Sequence, residues 1–301
     1  MSIAFTFPGQ GSQAVGMGKA LADAFPQAAA VFAEVDEALS QKLSVLMFEG
    51  PEADLTLTAN AQPALMAVSL AVVRVLEAEA GLDLARDAKF VAGHSLGEYS
   101  ALAAAGSFSL ADSARLLRQR GEAMQQAVPV GQGAMAALLG LDYETGVAVA
   151  AEAAGANDVC QIANDNGGGQ VVASGHKAAV ERAVEIAKAK GARRALMLPV
   201  SAPFHCALMQ PAADAMREAL ASVTVRAPKV PLVANVLAAP ISEPDEIRNR
   251  LVEQVTGTVR WRESVAYMAS EGVTTFYELG AGKVLSGLVK RIAEGASGIA
   301  I

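Results

Sequence analysis

The chain has 301 residues, enough for a substantial core and for one large domain with a smaller companion. Hydrophobic residues make up 52%, charged residues 18% and the net charge is −7, as in a soluble, alanine-rich globular protein. That balance excludes a protein bound broadly to nucleic acid, since no excess of cations exists to neutralise phosphates. No basic-then-apolar leader opens the chain and no apolar run reads as long enough to span a bilayer, so a cytoplasmic protein off the membrane is expected. Two cysteines and three histidines, without C-x-x-C or H-E-x-x-H, fit reduced thiols and no metal.

In chain order, Ile3–Phe7 alternates like a strand and runs into Pro8-Gly-Gln-Gly-Ser-Gln13, followed by a helical stretch over Lys19–Leu39. The glycine-rich loop lacks both the G-K-[ST] ending of a P-loop and the G-x-G-x-x-G register, which weakens a nucleotide reading. Short helical residues fall at Asp54–Leu57. A long apolar helix is expected over Gln62–Ala80, with Pro63 in its first turn.

Phe90-Val-Ala then forms a short buried strand ahead of Gly93-His-Ser-Leu-Gly97, a G-x-S-x-G motif, and helix formers follow from Glu98. A turn sharp enough to hold a serine Oγ at a strand tip crowds its flanks, so both flanking positions must lack a Cβ. The helix beyond aims free N–H groups at that oxygen. Ser95 is therefore expected to be a nucleophile, with His94 turned away from it. In such an architecture one oxyanion-hole N–H comes from the residue after the serine, Leu96, and another from a neighbouring strand-end loop, here Gln10. On the next helix, Leu110, Ala114, Leu117 and Gly121 mark the buried stripe, and Arg120 beside Gly121 is the arginine expected to point inward.

Phe-Pro-Gly-Gln-Gly-Ser-Gln at 7–13, Gly-His-Ser-Leu-Gly-Glu-Tyr-Ser-Ala-Leu at 93–102 and Arg-Gly-Glu-Ala-Met at 120–124 together resemble the malonyl-CoA:acyl carrier protein transacylases of fatty-acid and polyketide synthesis. The likeness continues through the motifs at 199–209 and 278–285 and covers nearly the whole chain. It implies an acyl-Ser95 intermediate with His205 as general base and acid. Placement after an apparent strand independently lets His205 reach a serine, although a merely buried histidine would fit that spacing equally well. The resemblance further implies that a main-chain carbonyl near Gln254 orients the imidazole. It implies that Arg120 binds the malonyl carboxylate, that Phe204 favours malonyl over methylmalonyl, and that Asn164 and Asn166 line the cleft.

From Gly133 the pattern changes to strand 134–141, helix 143–154, strands 159–163 and 170–174 about a glycine turn, helix 177–190 and strand 194–200, a β-α-β-β-α-β order. The expected fold is α/β. A large α/β-hydrolase-like domain with a mostly parallel sheet (1–128 and 199–301) carries an inserted ferredoxin-like α+β subdomain (129–198). The last part returns to the large domain through a strand at 230–236, a helix at 245–254 and a strand at 275–279, and then a Gly/Ala/Ser run that looks unstructured.

The substrates implied are malonyl-CoA and the phosphopantetheine thiol of acyl carrier protein, with no bound cofactor. A monomer is expected. Because carrier proteins are acidic, Arg193, Arg194, Lys283, Lys290 and Arg291 are candidates for a local docking patch. Two other readings fit the motif alone: a serine esterase of the α/β-hydrolase type, needing an Asp or Glu partner, and a non-catalytic carrier-docking module in which Ser95 is only a turn residue.

Overall fold

The computed structural model describes residues 2–200 and 202–301; Ser201, within the motif at 199–209, lies outside the described residues. Two sheets organise the chain. The larger has six strands in the order β10 (Ser297–Ala300), β9 (Val273–Glu278), β1 (Ser2–Phe7), β2 (Phe90–Gly93), β7 (Leu232–Ala234) and β8 (Ala239–Ile241). All neighbours pair in parallel except β7 and β8. Parallel strands covered on both faces must be apolar throughout, and Phe90, Val91 and Ala92 are all buried. The β1–β2 register sets Phe7 opposite Gly93, so the loop after Phe7 and the turn after Gly93 leave the sheet side by side.

The smaller sheet is antiparallel, in the order β4 (Cys160–Asp165), β5 (Gln170–His176), β3 (Gly133–Leu139) and β6 (Arg194–Met197). Period-two alternation gives it two different faces. Ala136, Leu138 and Ala173 join Val149, Val180 and Val184 of helices Tyr143–Ala154 and Lys177–Ala189 in a core of their own. Met135, Ala163 and Val172, on the opposite face, pack into the main core.

Several elements differ from the sequence expectation. The stretch 19–39 is two helices, Lys19–Ala24 and Pro26–Leu39, because Phe25 is extended (φ −131°), as a residue before proline prefers. The long apolar helix starts at Thr58 rather than Gln62, with Pro63 inside it. Tertiary contacts hold that extra turn: Asn60 Nδ2 donates to the Asp54 carbonyl at 2.8 Å, and Arg118 Nη1 donates to Asn60 Oδ1 at 2.6 Å. The same helix, Thr58–Ala80, is long and apolar enough to cross a bilayer, contrary to the expectation from the sequence, but 78% of its apolar window is buried inside the protein. The strand expected to reach Val200 ends at Met197, and the one expected over 230–236 spans only Leu232–Ala234. The terminal Gly/Ala/Ser run forms β10 at the edge of the large sheet.

Candidate active site

Strand β2 ends at Gly93, and the helix Gly97–Ala104 begins two residues past Ser95. Ser95 itself has φ 54°, a left-handed conformation that costs a side-chain-bearing residue energy. A Cβ on Gly93 would sit 1.9 Å from the carbonyl carbon and oxygen of Gly97, and one on Gly97 would sit 2.3 Å from the Phe7 carbonyl oxygen. Both flanks therefore have to be glycine. Gly93→Ala is expected to cost about 3 kcal/mol or more, since the obstacle is backbone that cannot rotate away. A urea melt showing no loss of stability would contradict this.

Asn235, just beyond β7, clamps the bend from outside. Its Oδ1 accepts from the Ser95 N–H at 2.8 Å and its Nδ2 donates to the Gly93 carbonyl at 2.7 Å. These bonds offset the strain at Ser95. His94 points away, as expected for a residue preceding such a turn, and its Nε2–H donates to Asn166 Oδ1 at 2.9 Å. That bond ties the smaller sheet to the serine turn.

Ser95 Oγ lies 2.8 Å from His205 Nε2, and His205 Nδ1–H donates to the Gln254 main-chain carbonyl at 2.8 Å. The second bond leaves Nε2 unprotonated and facing the serine hydroxyl, the arrangement a general base requires. Among the described residues no carboxylate takes part in it. His205 is 4% exposed, and burial, with the Arg120 charge next, lowers its pKa to about 3. The imidazole is thus neutral at any ordinary pH.

Arg120, on helix Leu110–Gln126, is 1% exposed. Gly121 beside it explains how the helix comes so close: a Cβ there would meet Ala59 Cα at 2.5 Å. Arg120 Nη2 donates to Ser95 Oγ at 3.1 Å and to Gln254 Oε1 at 2.8 Å, while Nη1 donates to Gln62 Oε1 at 2.8 Å. Its Nε has no partner among the described residues. The guanidinium carbon lies 5.7 Å from the centre of the Tyr99 ring, a cation–π distance. Gln62 is itself held, its Nε2 donating to Thr58 Oγ1 at 2.9 Å, and Thr58 Oγ1 donates on to Gln10 Oε1 at 2.9 Å.

The Gln10 loop lies against the serine turn, since a Cβ on Gly9 would stand 2.8 Å from the His94 carbonyl oxygen. Neither the Gln10 nor the Leu96 N–H donates to an acceptor among the described residues. Phe204 is buried in the main core next to His205. Asn164 is buried at the irregularity in β4, where it bridges to Val259, and Asn166 is engaged by His94. Among the described residues no cluster of His, Cys, Asp and Glu could hold a metal ion.

Three groups of the site have no counterpart in the sequence reading: Gln62, Asn235 and Glu98. Glu98 is 1% exposed; burial pushes its pKa up to about 8, against the N–H bonds from Asn235 and Gln254. A charged residue on an otherwise apolar buried helix, and a lone asparagine in the run Val230–Val236, were the available signals.

A serine in a strained turn, a neutral imidazole oriented by a carbonyl and a buried arginine touching that serine form an arrangement chemically able to carry out acyl transfer. Comparison with known proteins agrees. Residues 4–299 match the family described as acyl transferase domain, and the chain belongs to that family. It is 50% identical over 291 residues to the malonyl CoA-acyl carrier protein transacylase of Escherichia coli K12, covering 97% of this chain and 93% of that protein. The crystal structure of an acyl-carrier-protein S-malonyltransferase from Bartonella henselae superposes with a TM-score of 0.97 at 60% identity, over 100% of this chain and 95% of that one. A malonyl-transacylase solved in complex with a type II polyketide acyl-carrier protein has a TM-score of 0.96 at 43% identity, covering 100% of this chain and 96% of its own.

Proposed function

We propose that this chain moves a malonyl group from malonyl-CoA to the phosphopantetheine thiol of acyl carrier protein through a malonyl-Ser95 intermediate. The observation that carries this reading is that Ser95 Oγ touches both His205 Nε2 (2.8 Å) and Arg120 Nη2 (3.1 Å). A guanidinium so near the nucleophile can bind an acyl chain's anion only if that anion lies a few bonds from the reacting carbonyl. In malonyl a single methylene separates the two, and the planar fork of arginine matches the carboxylate.

His205 Nε2 takes the Ser95 proton as Oγ attacks the thioester carbonyl. The Gln10 and Leu96 N–H groups hold the oxyanion, and the same imidazole returns the proton to the departing CoA sulfur. In the second half the carrier thiol gives its proton to His205 and attacks the ester, and Ser95 leaves as the alcohol. An esterase reading would need a carboxylate behind His205, where a peptide carbonyl stands instead.

In this reading residues 1–128 and 199–301 form the hydrolase-like domain, and 129–198 the ferredoxin-like one, whose strand order β4-β5-β3-β6 fits that name. Phe204 beside His205 would crowd an α-methyl branch; Asn166 sits where the small sheet meets the serine turn, and Asn164, two residues before it, bridges to Val259. The carrier protein would meet Arg193, Arg194, Lys283, Lys290 and Arg291, all exposed and without an ion-pair partner among the described residues. Arg193 and Arg291 flank the linked glycine turns at 140 and 167–169.

Incubation with malonyl-CoA followed by intact-mass measurement is expected to show one malonyl adduct on Ser95. Holo-acyl carrier protein should discharge it faster than water does. Rapid hydrolysis without a carrier would favour the esterase, and absence of an adduct would leave Ser95 a turn residue.

A further inference from the structure

Arg120 is the charge nearest Ser95, and being buried it rests wherever its hydrogens find acceptors. Two of those acceptors are side-chain amides, Gln62 and Gln254. A primary amide has two ends of the same shape and opposite polarity. Turned half round, Gln254 would aim an NH2 group at the guanidinium and repel it. What prevents this lies on the far side of the amide. Gln254 Nε2 donates to Glu98 Oε2 and, at 2.9 Å, to the Ser95 carbonyl. As the carboxylate, Glu98 can offer nothing but acceptors, and its other oxygen accepts from the Asn235 N–H at 2.7 Å. Because burial raises its pKa to about 8, the loading assay is run at pH 9, where the carboxylate prevails. Glu98 and Gln254 are both sealed from solvent, so no water can stand in for either bond.

We propose that Glu98 is a specificity-positioning residue: it fixes the polarity of the Gln254 amide, so that the carbonyl faces Arg120 and holds the guanidinium beside Ser95. The amide between them matters as much as the carboxylate. A direct Glu98–Arg120 ion pair would occupy the donors that a substrate carboxylate needs. With Gln254 interposed, Arg120 makes no ion pair among the described residues and keeps Nε unpartnered. The carboxylate of the acyl group is then the first anion to reach the guanidinium directly. This inference rests on the reading of Arg120 given above.

Glu98→Gln tests it. The new amide must still present oxygen to the Asn235 N–H, so its NH2 faces Gln254, which turns over and sets its own NH2 against Arg120. The ratio of kcat/KM for malonyl-CoA to that for acetyl-CoA in Ser95 loading, read by intact mass, is expected to fall about ten-fold or more through a higher malonyl KM. Equal losses for the two acyl groups, the mark of damaged packing, would overturn the inference. Should Glu98→Gln not fold, Gln254→Leu removes the amide while keeping the peptide carbonyl that holds His205, and the same drop in ratio is expected of it. Wild-type protein that loads neither acyl group would overturn the transferase reading itself and the relay with it. Wild-type loading with an unchanged ratio in the variant would overturn the relay alone.

Discussion

Arg120→Ala is expected to lower kcat/KM for malonyl loading of Ser95 by about 10²–10⁴-fold, the equivalent of the roughly 3–5 kcal/mol lost when one partner of a buried charge pair is removed. Acetyl loading should not share the loss. An acetyl group brings no anion, and in the native protein it leaves a buried guanidinium unmatched, which penalises it. The alanine variant has no charge to leave unmatched, so the malonyl-to-acetyl ratio collapses from both directions. Arg120→Lys should fall between the two. An ammonium supplies the charge but lacks the planar fork that spans Gln62 Oε1 on one side and Gln254 Oε1 with Ser95 Oγ on the other. Loading assayed with each thioester checks this, and equal losses for the two acyl groups would show that Arg120 does not read a carboxylate.

The parts of the site that were legible in the sequence are those whose chemistry is local. Gly93 announces a bend because the clash it avoids is with Gly97 and Glu98, a few positions away. Gly97 completes the G-x-S-x-G spacing, although the backbone it avoids, Phe7, is distant in the chain. Gly121 marks the close-packed face that carries Arg120 inward, since the apolar stripe on its own helix shows which side is buried, although the backbone it packs against, Thr58 and Ala59, is distant in the chain. The groups that stayed hidden act across the chain: Asn235 bonds Ser95 from 140 residues away and Gln254 bonds Glu98 from 156. No periodicity records such a meeting. The same division runs through the fold. Pro63 looked like a helix start because proline suits a first turn, but contacts from Asp54 and Arg118 hold another turn ahead of it. Strand β10 looked structureless because its stability lies in the backbone ladder to β9, which side chains do not advertise. Its Gly298 is required by packing, since a Cβ there would be 2.2 Å from the Ser286 carbonyl oxygen.

His205→Ala should lower kcat for both half-reactions by about 10⁴-fold, the usual scale when a nucleophile loses its base, while KM for malonyl-CoA changes little because Arg120 remains. The pH behaviour carries a second, independent signature. Burial and then Arg120 hold the native imidazole near a pKa of about 3, against 6.5 for a free histidine. Between those values the unfolded chain binds a proton that the folded protein refuses. The stability associated with the neutral imidazole is therefore complete above pH 6.5 and is lost as pH falls toward 3. His205→Ala removes that proton difference, so its unfolding free energy should decline less steeply on acidification than that of the wild type. In labelled wild-type protein the His205 ring signals should hold their neutral shifts from pH 8 down to pH 5. Adding malonate, which sets an anion on Arg120, should weaken the second cause of the depression and move the titration upward, whereas acetate at equal concentration should move it less. An imidazole that titrates near 6.5 in the free protein would mean that it is neither sealed from water nor coupled to the arginine.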